Sequence, residues 1–366
     1  MQNKEIVMKE YDDLNSLYRR FACEIEHLLQ RILMEEGINC TAITSRVKER
    51  ESLSEKIDRK EDKYQSLSEI TDIAGVRIIT YYIDDIDKVT EIIEREFVVD
   101  RENSIDKGKS LEPDRFGYCS VHYVVEMCKE RLALRENKAF EGLKCEIQIR
   151  SVLQHAWAEI EHDLGYKSEL TIPKEVRRSF SRLAGLLELG DKEFKDIRDS
   201  LVKYKNQIVD KLSTNEIQGV EIDAVSLETF IDSNRDIVEL SNKIREFFGW
   251  GLREKKYPGA LERAVGELTW VGVFTIDDLQ QCVLRNKDYA AKIAKKKSEQ
   301  NKRSLGAVDN TIAIFYLCYA ELLSSDCSEE RVVKYYKDNE ICSSERERKS
   351  GAKELLAIRD TLQSQN

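Results

Sequence analysis

The chain has 366 residues, 41% of them hydrophobic and 35% charged, enough for one ordinary core and by size for two domains. A formal net charge of −10 excludes a protein that coats nucleic acid through a broad basic surface, while leaving room for a small cationic site. No apolar run approaches the roughly eighteen residues that read as a membrane-spanning helix, and Met1-Gln2-Asn3-Lys4-Glu5 lacks the apolar stretch of a secretory signal, so a cytoplasmic protein with no membrane partner is expected.

The nine cysteines form no Cys-x-x-Cys pair and read as reduced thiols, mostly packing residues. With three prolines and long stretches of 3.6-residue rhythm, helix should dominate around one compact β-rich region. Residues 4 to 36 place Ile6, Leu14, Leu17, Phe21, Ile25, Leu28, Leu29 and Ile32 at helical spacings, which gives amphipathic helices over 1–40. Ser45-Arg46-Val47-Lys48 and Ser54-Glu55-Lys56-Ile57-Asp58-Arg59-Lys60 then concentrate cations. By themselves they fit either a phosphate clamp or a solvated helix face with Glu-Lys pairing.

Ile73 to Tyr82 is rich in β-branched and aromatic residues and predicts a buried strand, followed by a helix from about Asp84 to Glu96. The polar stretch from Asp100 to Arg115, with Lys107, Gly108 and Lys109, is expected to be a loop. Val121 to Met127 and Lys144 to Ile149 read as strands, the second alternating so that Glu146, Gln148 and Arg150 share one face. Helices should resume at Ser151 and run, with breaks at Gly165 and Pro173, to about Leu212. A polar linker from Ser213 to Asp223 precedes a mostly helical region over 224–366. The fold class is α+β, a mixed sheet flanked by helices.

Transferring a phosphoryl-type group calls for metal-bound carboxylates, cations along the donor phosphates and a slot that presents the acceptor. Asp72 at a strand mouth and Glu146 on a second strand supply the carboxylates, and as neighbours could share a Mg²⁺. Gly117-Tyr118 offers an aromatic that can stack on a purine, and His122 can touch phosphate or ribose. His155, Glu159 and His162 fall at i, i+4 and i+7 on one helix face, but no fourth ligand accompanies them, so they read as bracing rather than as a zinc site.

Four blocks in order closely resemble the synthetase domain of the RelA/SpoT family: Asp72-Ile73-Ala74-Gly75-Val76-Arg77-Ile78, Gly117-Tyr118-x-Ser120-Val121-His122, Glu146-Ile147-Gln148-Ile149-Arg150, and Trp157-Ala158-x-Ile160-Glu161-His162-x-x-x-Tyr166-Lys167. The resemblance covers about residues 41 to 180 and places the synthetase domain at 41–212. It implies a nucleotidyltransferase-like sheet and a GTP pyrophosphokinase: Mg²⁺-dependent transfer of pyrophosphate from ATP to the 3′-hydroxyl of GDP or GTP. Carried over residue by residue, it puts Asp72 and Glu146 at the metal and catalytic centre, with Glu146 helping to deprotonate the hydroxyl. It assigns Arg46, Lys48, Lys56, Arg59 and Arg77 to ATP, and Tyr118, His122, Gln148 and Arg150 to the acceptor.

Cys119 stands where the family usually has Arg, which leaves acceptor identity the least determined part. The same chemistry on the 3′-CCA end of tRNA or on adenine nucleotides is one alternative, and a nucleotide-binding module without turnover is another. The family's hydrolases carry a separate N-terminal domain rich in metal-binding His and Asp, and only His27 precedes residue 122 here, so synthesis without hydrolysis is expected. The amphipathic helices of the C-terminal third suit homo-oligomerisation, self-regulation or partner recognition.

Overall fold

The computed structural model describes residues 2–60, 63–106, 120–164, 173–214, 216–300, 306–324 and 327–364. The chain divides into two compact units, Met1–Asp199 and Ser200–Asn366.

In the first unit, α1 (Gln2–Glu35) buries Val7, Tyr11, Tyr18, Phe21, Ala22, Ile25, Leu29 and Leu33, the three-to-four-residue spacing that keeps one stripe on the core. It stops at Gly37, whose φ of 71° only glycine adopts cheaply, with Ile38 N–H donating to Leu33 C=O and Gly37 N–H to Met34 C=O in a closed helix end. There follow β1 (Cys40–Val47), α2 (Arg50–Arg59), β2 (Ala74–Thr80), α3 (Asp85–Glu96), β3 (Phe97–Asp106), β4 (Val121–Met127), a short α4 (Lys129–Leu132), β5 (Cys145–Ser151), α5 (Val152–Asp163) and α6 (Lys174–Thr214), whose residues from Ser200 on belong to the second unit.

The sheet order is β1-β2-β5-β4-β3, with β2 and β5 parallel and the other pairs antiparallel. Ala74, Val76 and Ile78 of β2 and Cys145, Ile147 and Ile149 of β5 are almost fully buried in a core shared with α1 and α3. Alternation therefore turns Gly75, Arg77, Glu146, Gln148 and Arg150 to the opposite face. This is the expected mixed sheet flanked by helices.

Two segments correct the sequence reading. Residues 40–47, whose Ser45 to Lys48 stretch read as a cationic segment ahead of the first strand, form edge strand β1, which carries Arg46. The expected loop from Asp100 begins instead inside β3. Its polar residues sit at a register break between Asp100 and Ile105, where Asn103 N–H and the Ser104 hydroxyl bond back to Asp100 and Ser104 Oγ accepts Val124 N–H. Polarity here marks a bulge; Lys107, Gly108, Lys109 and Arg115 lie outside the described residues.

The second unit is helical, as expected: α7 (Ala224–Ser233), α8 (Arg235–Phe248), α9 (Ala260–Trp270), α10 (Ile276–Gln300), α11 (Thr311–Ser324), α12 (Glu329–Asp338) and α13 (Glu345–Gln363), with one two-stranded ribbon. Asp223 and Ser226 form a reciprocal cap on α7, and Asn234 caps α8. The aromatic and glycine clusters serve packing: Phe248 stacks on Trp250 at 4.2 Å, and Trp270 meets Tyr335 edge-on at 5.1 Å.

Candidate active site

Strand pairing puts Arg46 opposite Gly75, and Gly75 opposite Glu146, so these three form a row across the sheet's polar face. Gly75 leaves the middle of that row without a side chain. A Cβ there would lie 3.5 Å from Arg46 Cγ and Nε and 3.6 Å from the Glu146 carbonyl oxygen, so the Arg46 stem rests over the glycine. The next row joins Thr44, Arg77, Gln148 and His122.

Glu146 is the centre of the polar network. His122 Nδ1 lies 3.1 Å from Glu146 Oε1, and the Gln148 amide donates to Oε2 at 2.7 Å. Burial would raise the Glu146 pKa, but the His122 and Gln148 hydrogen bonds and the Arg46 charge outweigh it and hold the carboxyl down at about 2. An ionised carboxylate only accepts, so His122 Nδ1 carries the proton. His122 Nε2 then faces the Ser120 hydroxyl at 2.6 Å. Ser120 received no role from sequence, although its place two residues before His122 on an extended segment puts both on one face.

Asp72 stands just before β2 and is held from two sides. Lys56 Nζ donates to Oδ1 at 2.7 Å, and Lys48 Nζ lies 3.1 Å from Oδ2. Lys48 itself is fixed by its backbone N–H, which donates to Ile73 C=O. Of the cations assigned to the donor, Lys48 and Lys56 thus converge on Asp72, and Arg46 lies beside Glu146. Arg59 is different: it is exposed and its Nε donates back to Glu55 C=O at 3.3 Å. Tyr118 and the Cys119 departure fall outside the described residues.

Arg77 and Arg150 make a second cationic cluster on the same face. Arg77 donates to Glu159 of α5 at 3.0 Å, and His155 Nδ1 lies 3.7 Å from the same carboxylate oxygen. The His155-Glu159 pair is thereby turned to the arginines. The Nε atoms of Arg77 and Arg150 are buried with no hydrogen-bond partner among the described residues. Burial and the adjacent Arg77 charge lower the Arg150 pKa, and the same two causes lower that of His155. One exposed carboxylate against two arginines leaves surplus positive charge in a partly desolvated site, an arrangement that favours a polyanion.

Whether the residues fit Mg²⁺ turns on the donor set. Asp72 and Glu146 are hard oxygen donors set next to cations, and Mg²⁺ commonly takes one or two protein carboxylates and completes its shell with phosphates and water. Two carboxylates are thus compatible with Mg²⁺ by donor type.

Residues 45–171 match the model described as the region found in RelA / SpoT proteins. GTP pyrophosphokinase YjbM of Bacillus subtilis (strain 168) is 34% identical over 159 residues, covering 43% of this chain and 71% of that protein. GTP pyrophosphokinase YwaC of the same organism is 32% identical over 157 residues, covering 42% and 71%. A crystal structure of the small alarmone synthetase 1 from Bacillus subtilis bound to its product pppGpp is 30% identical, covers 52% of this chain and 98% of that chain, and has a TM-score of 0.44. The matched region runs from Ser45 near the end of β1 past α5 and contains Arg46, Lys48, Lys56, Asp72, Gly75, Arg77, His122, Glu146, Gln148 and Arg150. On that match, and on relatives of more than 30% identity aligned over 71% of their length, the chain belongs to the RelA/SpoT family.

Proposed function

We propose that this chain is a GTP pyrophosphokinase that transfers the β,γ-pyrophosphoryl group of ATP to the 3′-hydroxyl of GDP or GTP. The observation that carries the reading is the Arg46-Gly75-Glu146 row: a cation and an ionised carboxylate on the two strands that flank β2, with only Gly75 between them. The identity to two GTP pyrophosphokinases supports it.

In this reaction the acceptor 3′-oxygen bonds to the β-phosphorus, the bond from that phosphorus to the α,β-bridging oxygen breaks, and AMP leaves with the electron pair. The transition state is loose, so the protein contributes mainly position and charge. Arg46, Lys48, Lys56 and Arg77 bind the triphosphate, with Arg59 meeting its outer end. Tyr118 stacks on the guanine, and Gln148 and Arg150 line the acceptor side. Glu146, held ionised by His122, accepts a hydrogen bond from the 3′-hydroxyl and orients it. A carboxyl at about pKa 2 suits orientation and metal binding better than it suits keeping a proton, so the hydroxyl proton passes on to solvent. Asp72 and Glu146 would hold Mg²⁺, which when bound would neutralise charge developing on the phosphate oxygens.

The reading places the enzyme in the cytoplasm with its nucleotides, and it is of synthesis without hydrolysis. Chromatography of a reaction with Mg²⁺, ATP and GDP or GTP should show AMP and a new, more anionic guanine nucleotide in equal amounts. Purified product returned to fresh protein should persist. Absence of a guanine product, or release of pyrophosphate from added product, overturns the respective part.

A further inference from the structure

The parallel strands β2 and β5, which carry Arg77 and Arg150, finish side by side at Thr80 and Ser151, two fully buried residues that pair in register. Ser151 is both the last residue of β5 and the N-cap of α5. Its hydroxyl oxygen accepts Gln154 N–H at 3.1 Å, and the Gln154 side-chain oxygen accepts Ser151 N–H at 3.0 Å, so the cap closes in both directions. The hydroxyl hydrogen takes no part in that cap. It is donated to Asp191 Oδ2 of α6 at 2.7 Å, and Asp191 is itself only 2% exposed.

Two further contacts seat α6 on these strand ends. A Cβ on Gly190 would lie 3.3 Å from Leu153 Cδ1, so the α6 backbone comes close to the first turn of α5 at a point where it bears no side chain. About two turns beyond Asp191, and so on the same helix face, Arg198 donates to Asp84 at 2.6 Å and lies 4.6 Å from the Tyr82 ring centroid, just past the end of β2. Thr80 links the two anchor points: its hydroxyl donates to Tyr82 C=O at 2.9 Å and reaches Arg150 C=O at 3.3 Å. The backbone of Arg150 is thereby fixed at its own carbonyl by Thr80 and at the next residue by Asp191. Its guanidinium Nε has no partner among the described residues, so the aim of that side chain follows the backbone that carries it.

We propose that Asp191 is a positioning residue of the synthetase site: by holding the Ser151 hydroxyl it fixes the junction of β5 and α5 and so aims Arg150 at the acceptor nucleotide. The proposal rests on the reading above that Arg150 lines the acceptor side. Asp191 touches no substrate and acts through Ser151, so what it requires is an acceptor oxygen in place rather than a charge. Burial raises its carboxyl to about 7, and an amide of the same shape keeps the accepting oxygen. Asp191→Asn is therefore the conservative replacement, and Asp191→Ala removes the bond.

The test is steady-state kinetics of the full chain with Mg²⁺, ATP and GDP, together with calorimetric titration of GDP alone. Asp191→Ala should raise the KM and the Kd for GDP by ~10-fold, with the KM for ATP and kcat within about twofold of wild type, and Asp191→Asn should restore both GDP constants. In an Arg150→Met background the same Asp191→Ala change should cost less than about twofold, because the side chain it aims is gone. If Asp191→Ala does not fold, Ser151→Ala removes the same bond from the other side and takes its place in each comparison. The titration needs no turnover: a wild type that makes no guanine product sinks the proposed function, while GDP binding weakened by Ala and restored by Asn still upholds the positioning role. Equal rises in both KM values, an Asn variant as impaired as Ala, or an undiminished effect in the Arg150→Met background would overturn it.

Discussion

Arg46 lies across Gly75, its Cγ and Nε each 3.5 Å from the point where a Gly75 Cβ would stand. That distance is ordinary contact, and Gly75 has no positive φ, so Gly75→Ala should fold with an unchanged or slightly raised melting temperature and lose little activity. Gly75→Leu should instead push Arg46 off the row and raise the KM for ATP by roughly 10- to 100-fold, the worth of a charge-assisted contact. Steady-state kinetics on both variants check this; equal loss in the two would show that the open floor is not what matters.

Glu146 makes stability depend on pH. Its folded pKa is depressed from 4.5 to about 2, so its contribution is fully present above about 4.5 and is lost as pH falls toward 2. By linkage that contribution is on the order of 3 kcal/mol for this largely buried group. Urea unfolding between pH 6 and about pH 2.5 should therefore show the wild type losing more stability than Glu146→Gln. Parallel pH curves would remove the special environment of this carboxylate.

Lys48 and Lys56 share Asp72, and all three side chains are about one-fifth exposed. Ion pairs of that kind contribute at most about 1 kcal/mol, so Lys56→Ala should shift the melting temperature little. The KM for ATP should rise about 10-fold if the lysine turns to the triphosphate. A variant that binds ATP normally but melts much earlier would assign Lys56 to structure alone.

Arg150 shows function opposed to stability. Its Nε is buried without a partner and its charge is crowded by Arg77. Arg150→Met should raise urea stability by on the order of 1 kcal/mol while lowering turnover. A fall in both would mean that the arginine is needed to hold the sheet.

Much of the fold was legible because burial and periodicity coincide. The strand over Val121–Met127 and the alternation of Cys145, Ile147 and Ile149 against Glu146, Gln148 and Arg150 stand in the structure at the expected positions. β1 was hidden because an edge strand half-exposed on both faces, Cys-Thr-Ala-Ile-Thr-Ser-Arg-Val, carries little apolar alternation and ends in cations. β3 was hidden because a bulge needs the same Asp, Asn and Ser residues that mark loops. At the site, residue types pointed to carboxylates and cations but not to their partners. Register, which no local pattern supplies, sets Arg46 beside Gly75, and the packing of α5 on the sheet sets Glu159 against Arg77. Asp72 illustrates the difference: a strand-end Asp is usually a cap, and only the two converging lysines distinguish this one.

The central claim is that two phosphoryl units move together. ATP labelled at the β-phosphorus and, separately, at the γ-phosphorus should be incubated with the chain, Mg²⁺ and GDP, with Glu146→Gln in parallel. The account predicts equal transfer of both labels to the guanine nucleotide, one AMP formed per transfer, and a loss of at least ~100-fold in the variant. Transfer of the γ label alone with ADP left behind, or transfer undiminished in Glu146→Gln, would contradict it.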